Sequence, residues 1–269
     1  MKKAVGIFVS LMLVVFLQPT IAQAEDQKVL AIIDTAMDST KNSSVIHEVC
    51  ITTYVNNRPV MDSNRYCPNG TNRQEGPGSA NVKSWTAKGS GYNVDHGYDI
   101  TQVANNVAPN VKIVFIRIAE ITSANTVVMQ GQSLSDAVQW VANNASRFSI
   151  DALSISVSRS NFLAGTCPVD NILSGAVQKL KLQGITTYAA TGNDSKTNMV
   201  GFPACVTDVV GVGAVTSGGI LYKTTNSGPG MDSTFLGEAR VRSYTGLAKT
   251  IHGTSVSSPG LAATVLGQR

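Results

Sequence analysis

The sequence is poor in charge and in the residues that bind transition metals. Charged side chains make up 14% of its 269 residues, and it contains three histidines and four cysteines. Neither a Cys-x-x-Cys pair nor a His-Glu-x-x-His motif occurs, so the sequence disfavours a zinc site. The formal net charge of +4 is small and scattered, which argues against a nucleic-acid or anionic-membrane partner.

Long apolar runs are also lacking, except at the amino terminus. There a basic start, Met1-Lys2-Lys3, precedes a short apolar stretch and then the small-residue pattern Ala22-Gln23-Ala24. This arrangement predicts a secretory signal peptide over residues 1–24, whose apolar stretch is too short to span a bilayer. Without Lys2 and Lys3 the mature chain, from residue 25 onward, has a net charge of +2. We expect it to be secreted, either outside the cell or into a periplasm.

Four cysteines in an exported chain predict disulfide bonds. Three pairings are possible. We favour Cys50–Cys67, because residues 51–66 are typical of a hairpin that turns at residues 56–59. Cys167–Cys205 is then the remaining pair.

Apolar, β-branched runs alternate with segments of helical period. The predicted buried strands are residues 29–33, 111–118, 152–157, 185–190 and 209–215. The predicted helices have their apolar faces at Leu134, Ala137, Val138 and Val141, and at Ile172, Ala176, Val177 and Leu180, with Gly184 as a C-cap. This alternation predicts one α/β domain over residues 25–269, with a doubly wound, mostly parallel sheet flanked by helices.

Four polar residues lie at the ends of these predicted elements, where α/β folds place their functional sites. Asp34 follows the first strand, His96 opens a predicted helix, Asn193 follows the strand at 185–190, and Ser255 lies at a helix start. Each alone has a common structural explanation as a turn, cap or surface residue. A serine at a helix start also has an unpaired backbone N–H beside its hydroxyl, which suits a nucleophile.

Taken in chain order, these motifs resemble the subtilisin-like serine proteases (subtilases), whose catalytic triad runs Asp, His, Ser. The most specific match is Gly253-Thr254-Ser255-Val256-Ser257-Ser258-Pro259, and connecting segments extend the resemblance over nearly all of the mature chain. The resemblance implies that Asp34, His96 and Ser255 form the catalytic triad and that Asn193 is the oxyanion donor. It also implies that the segment containing Ser154 and Ser156 is the substrate-binding strand.

The resemblance also implies a reaction and its partners. We expect a monomeric serine endopeptidase that cuts protein or peptide substrates through an acyl-enzyme intermediate, with no nucleic-acid or membrane partner. The chemistry requires no metal or organic cofactor. Calcium often stabilises relatives, but the sequence has no acidic cluster with clear ligand spacing.

Three residues depart from the family pattern. Ala36 replaces a glycine after the aspartate motif, Asp99 stands where a second histidine is usual, and Ser158 stands where a glycine commonly lines the substrate cleft. No propeptide-length segment precedes the first strand, and the chain ends about four helical turns after Ser255. We therefore expect either a compact or truncated member of the family, or a fragment of one.

Two alternatives remain for the function. The first is a catalytically impaired subtilase-like protein that binds peptides without cutting them, which Ala36 and Asp99 keep open. The second is another secreted serine hydrolase, such as an esterase. It is disfavoured because the order of the catalytic residues is reversed and no Gly-x-Ser-x-Gly elbow occurs.

Overall fold

A computed structural model describes residues 27–53, 65–89 and 92–268. The predicted signal peptide and the predicted turn at residues 56–59 lie outside the described residues. The strands are β1 (Val29–Asp34), β2 (Val45–Ile51), β3 (Arg73–Glu75), β4 (Lys112–Arg117), β5 (Ala119–Ile121), β6 (Val127–Met129), β7 (Ile150–Ile155), β8 (Thr186–Ala190), β9 (Val209–Val215), β10 (Ser233–Leu236), β11 (Glu238–Arg242) and β12 (Ala248–His252). The α-helices are α1 (His96–Val107), α2 (Gly131–Phe148), α3 (Asn171–Leu182) and α4 (Thr254–Gly267).

The main sheet has eight strands in the order β10-β9-β8-β7-β1-β4-β2-β3. All neighbours are parallel except β2 and β3, which are antiparallel at one edge. β5 pairs with β6, and β11 with β12, in separate antiparallel ribbons. The five sequence-predicted strands are all present, so the prediction of a mostly parallel sheet is confirmed.

Helices cover both faces of this sheet, which explains why the central strands are mostly apolar on both faces. Ala31 and Ile33 of β1 belong to the core beneath α2 and α3, whereas Leu30 and Ile32 belong to the core beneath α1 and α4. All six residues of β1 are buried. The fold is therefore doubly wound, as predicted.

Two local predictions are wrong. On α3, Leu173 is buried and Ile172 is 40% exposed, because Leu173 is the residue at helical spacing from Ala176, Val177 and Leu180. The strand that returns antiparallel to β2 is Arg73–Glu75, and Tyr66 lies in an irregular segment before it. A charged, three-residue edge strand has no apolar alternation by which the sequence could reveal it.

Both predicted disulfide bonds are present, Cys50–Cys67 and Cys167–Cys205. The first joins β2 to the segment that leads into β3, and the second joins the chain before α3 to the segment before β9. Within the described ranges, none of the helices has both the length and the apolar character needed to cross a membrane.

Candidate active site

Asp34 and His96 meet at the carboxyl end of the sheet. Asp34 is the last residue of β1 and is fully buried, and His96 is the first residue of α1. The His96 Nδ1 atom lies 2.7 Å from Asp34 Oδ1, which also accepts a 2.6 Å hydrogen bond from the backbone N–H of Thr35. The contact fixes the imidazole through Nδ1 and leaves Nε2 as the atom that can accept a proton.

Thr35 connects the turn after β1 to the start of α1. Its hydroxyl donates to the carbonyl of Val94 at 2.9 Å and accepts from the backbone N–H of Gly97 at 2.8 Å. Gly97 is required here, since a Cβ would lie 2.5 Å from the Phe115 ring and 2.7 Å from the carbonyl oxygen of Ala36. Thr35 therefore positions the helix that carries His96, a role that sequence reasoning did not assign.

Ser255 is the second residue of α4 and is 7% exposed. Its backbone N–H lies in the first turn of the helix, where N–H groups have no intrahelical partner. The turn before it depends on Gly253, whose φ of +120° and ψ of −179° are open essentially to glycine alone. The sequence-predicted helix start at Ser255 is thus present, with its hydroxyl and N–H at the same helix end.

Asn193 is attached to this helix end by its side-chain oxygen. Asn193 Oδ1 accepts from the backbone N–H of Thr254 at 3.0 Å and from the Thr254 hydroxyl at 3.2 Å. The Thr254 hydroxyl in turn accepts from the backbone N–H of Gly192 at 3.1 Å. Because the amide oxygen faces these donors, the amide NH₂ group is left available as a donor beside Ser255.

His96, Asn193 and Ser255 line a single open cleft of about 580 Å³. His96 and Ser255 are both among the described residues, and they are not hydrogen-bonded to each other. In unliganded active sites such catalytic hydrogen bonds are often long and shorten only when substrate binds. The structure thus brings three of the predicted site residues to one cleft, with Asp34 buried directly behind His96.

Asp99 lies one turn along α1 from His96 and forms an ion pair with a lysine that sequence reasoning missed. Lys249 of β12 places its Nζ atom 2.7 Å from Asp99 Oδ2 and 3.0 Å from Asp95 Oδ2. Burial raises the pKa of Asp99 to about 6, although Lys249 acts in the opposite direction. No sequence signal indicated Lys249, because it is 150 residues from Asp99 and lies in a short ribbon of alternating exposure.

The electrostatic surroundings favour the protonated form of His96. Burial alone lowers the pKa of the imidazole, but the charge and hydrogen bond of Asp34 raise it, and Asp99 and Asp95 add to that effect. The net result is a pKa raised above the ordinary value for histidine. His96 therefore requires a higher pH to be a free base than an unperturbed imidazole does.

Ala36, a departure from the family pattern, causes no backbone strain. Its side chain is fully buried in a small cluster with Ala87, Val94 and Ala119. Among the described residues, the non-glycine positions with positive φ lie elsewhere in the chain. The additional methyl group is thus accommodated by packing.

The predicted substrate segment is only partly at the cleft. Ser154 is fully buried in β7, between β1 and β8, and its hydroxyl lies 2.9 Å from that of Ser258. Ser156 is also fully buried. The predicted recognition positions of Ser154 and Ser156 are therefore corrected: both side chains belong to the interior, and Ser158 is the serine of this segment that lines the cleft.

The side-chain hydroxyl of Tyr92 contacts the backbone N–H and carbonyl groups of Ser158. The Tyr92 hydroxyl accepts from the backbone N–H of Ser158 at 2.9 Å and lies 3.5 Å from its carbonyl oxygen. Its ring meets the ring of His96 edge-on, with centroids 5.2 Å apart. A substrate strand that paired with Ser158 would have to replace this hydroxyl.

Among the described residues, no group of three or more histidine, cysteine, aspartate or glutamate side chains is arranged to hold a metal ion. No residue is therefore assigned to calcium binding.

Comparison with known proteins identifies the relatives of this chain. The peptidase model described as the subtilase family matches residues 27–268. Subtilisin DY of Bacillus licheniformis is 26% identical over 199 residues, covering 67% of this chain and 67% of the relative. A solved protease from Pseudoalteromonas arctica matches with a TM-score of 0.66 at 18% identity, over 88% of this chain and 77% of that chain. A cold-adapted subtilisin-like serine proteinase matches with a TM-score of 0.58 at 21% identity, over 90% of this chain and 76% of that chain.

Proposed function

This chain belongs to the subtilase family of serine peptidases, and from that premise we propose that it is a secreted endopeptidase whose catalytic residues are Asp34, His96 and Ser255. The observation that carries the proposal is the 2.7 Å contact of His96 Nδ1 with Asp34, in the cleft that His96 shares with Ser255. The order of these residues in the chain agrees with the family order.

In the proposed reaction Ser255 Oγ attacks the carbonyl carbon of a peptide bond, and His96 Nε2 accepts the hydroxyl proton. His96 then donates that proton to the leaving amine, and the acyl group stays on Ser255 until water releases it by the same steps. Asp34 holds the imidazole in the required tautomer and stabilises its charged form. Proton transfer requires His96 and Ser255 to approach hydrogen-bond distance when substrate binds.

The developing oxyanion needs donors that are already in place. The NH₂ group of Asn193 and the backbone N–H of Ser255 supply them in this proposal. Asn193 is held by Thr254, and Thr254 is the first residue of the helix that bears Ser255. Donor and nucleophile are thus fixed to one helix end, which limits the reorganisation needed during the reaction.

Export is part of the proposal. It is supported by the signal-peptide pattern of residues 1–24 and by the two disulfide bonds, which persist in oxidising compartments. Amino-terminal sequencing of the secreted protein tests it, and we expect the mature chain to begin at Glu25. Retention of residues 1–24 on the isolated protein would contradict this.

A catalytically impaired peptide-binding protein is the second candidate. It is favoured by the lack of a hydrogen bond between His96 and Ser255, both of which are among the described residues. Hydrolysis of a denatured protein by the purified chain, measured with and without a serine-directed covalent inhibitor, separates the two. We expect hydrolysis that the inhibitor and Ser255→Ala each abolish. Peptide binding without any hydrolysis would instead support the impaired form.

A further inference from the structure

The side chain of Ser158 fills a slot between two glycines beside the nucleophile. A Cβ built on Gly201 would lie 2.1 Å from Ser158 Oγ, and one built on Gly192 would lie 2.8 Å from it. Both distances are shorter than real Cβ atoms adopt, so the hydroxyl is in close contact with both glycine backbones. The Ser160 hydroxyl is also near, at 3.1 Å and 3.2 Å from the same two positions.

The slot adjoins the acyl side of the bond to be cut. Gly192 precedes Asn193, the proposed oxyanion donor, and Gly192, Ser158 and Ser255 line the same cleft. The leaving amine has to lie at His96, which returns its proton. A substrate carbonyl held by Asn193 therefore places the side chain of its own residue towards Gly192 and Ser158.

The walls of the slot are held in place. Tyr92 bonds the backbone N–H of Ser158, and Ser160 donates to Asp194 Oδ2 at 2.6 Å and accepts from Asn226 Nδ2 at 2.9 Å. The Ser158 hydroxyl itself is buried and has no hydrogen-bond partner among the described residues. Its position is thus set by packing against the glycines, and the space it fills is closed to a large substrate group.

We propose that Ser158 restricts the residue on the acyl side of the scissile bond to glycine or alanine. This inference rests on the proposed endopeptidase function and specifies its substrate class. A large side chain would have to displace the Ser158 hydroxyl from between Gly192 and Gly201, whereas the methyl group of alanine or the hydrogen of glycine requires little of this space.

The test compares peptides that are identical except for glycine, alanine, leucine or phenylalanine at that position. For the unaltered chain we expect kcat/KM for glycine and alanine to exceed that for leucine and phenylalanine by about 100-fold or more. Ser158→Gly should raise kcat/KM for leucine and phenylalanine by about 10–100-fold, since it removes the group that fills the slot. Ser149→Gly is the matched control: Ser149 has a φ of +52° at the end of α2, where glycine is readily accepted, and this variant should keep the original preference.

A second measurement does not depend on turnover. The same peptides are titrated calorimetrically into Ser255→Ala, with and without Ser158→Gly. We expect tighter binding of the small-residue peptides, and a gain for the large-residue peptides only when Ser158 is glycine. Equal cleavage or equal binding of all four peptides would overturn the proposal. So would a size preference that is the same with and without Ser158→Gly, or a failure of all four peptides to bind.

The two measurements also separate this inference from the proposed function. Failure of the endopeptidase function would appear as cleavage of none of the peptides, while the binding series still reports the size preference. Failure of the slot inference would appear as cleavage that ignores the size of the residue.

Discussion

The side-chain oxygen of Asn193 lies 3.0 Å from the backbone nitrogen of Thr254, one residue before Ser255. Only an acceptor can face an N–H group, so this contact determines which end of the amide remains for the substrate. The same two residues also connect the turn after β8 to the start of α4. Asn193 therefore has a structural acceptor and a proposed catalytic donor on one side chain, and the two can be separated by mutation.

Asn193→Asp keeps the oxygen that binds Thr254 and removes the NH₂ donor. We expect kcat to fall by about 10²–10³ or more with little change in KM, a magnitude known from the loss of such a donor in a subtilisin, a member of the same family. The free energy of unfolding should change little, because the anchor to Thr254 remains. Steady-state kinetics and urea unfolding check both parts. A variant of unchanged kcat would remove Asn193 from the oxyanion site.

Gly253→Ala tests the turn before Ser255. A Cβ at this position would lie 2.9–3.2 Å from the side chain of Asn193, in a backbone region that is essentially restricted to glycine. We expect a loss of about 1–3 kcal/mol in the free energy of unfolding, together with a fall in kcat because Asn193 must move.

Gly219→Ala is the control for this change. Gly219 also has a positive φ, +76°, but a methyl group added there would have no other atom within 4 Å. This variant should lose some stability and keep its kcat. Equal loss of kcat in the two variants, measured beside thermal unfolding, would show that the contact with Asn193 is unimportant.

The sequence predicted the positions of the main-chain elements that hold the site. Strand β1 and the helix start at Ser255 have local patterns that a sequence can show: an all-apolar run before an aspartate, and a glycine-containing turn before an apolar segment. These patterns arise from backbone conformation and burial, which neighbouring residues determine. The four site residues Asp34, His96, Asn193 and Ser255 were singled out by the resemblance of their motifs, taken in chain order, to the subtilases.

The residues that join these elements to one another could not be predicted in this way. Lys249 reaches Asp99 across the cleft, and Tyr92 reaches Ser158, each over many residues of sequence. Ser154 and Ser156 were expected at the cleft because the segment that contains them resembles the substrate-binding strand of the subtilases. Only the packing of the folded chain shows that both are fully buried, with the Ser154 hydroxyl 2.9 Å from that of Ser258 on α4.

Lys249→Met removes the partner of a buried carboxylate. The pKa of Asp99, about 6, already exceeds its ordinary value, so ionised Asp99 costs more in the folded than in the unfolded chain and its contribution to stability falls as pH rises towards 6. Without Lys249 this cost increases wherever Asp99 is ionised. We expect Lys249→Met to lower the free energy of unfolding by about 1–3 kcal/mol at pH 8, and by less near pH 4, where Asp99 is protonated.

Urea unfolding at both pH values measures this difference. The double variant Asp99→Asn/Lys249→Met provides the control. It has no carboxylate at position 99, and the carboxylate of Asp95, which also loses Lys249, is more exposed to solvent, so most of the lost stability at pH 8 should be recovered. A Lys249→Met loss of the same size at both pH values would indicate that packing of the lysine stem, and not its charge, stabilises this contact.

Asp99→Asn tests how the charges around His96 set the acid limit of activity. His96 must be neutral to accept the proton of Ser255, so the rate falls as pH drops through the pKa of His96. The negative charge of Asp99 is one of the groups that raise that pKa, after Asp34. Removing this charge lowers the pKa of His96, and the acid limb of the kcat/KM profile should move to lower pH.

The profile of Asp136→Asn is the control for a change of net charge alone, because Asp136 lies on α2, on the other face of the sheet, and bonds Gln132. Its acid limb should coincide with that of the unaltered chain. An acid limb that moves to higher pH in Asp99→Asn would contradict the prediction, because the loss of a negative charge beside the imidazole cannot by itself stabilise the protonated form. No movement at all would mean that Lys249 already cancels the field of Asp99 at His96, in which case Lys249→Met in the intact chain should move the limb to higher pH.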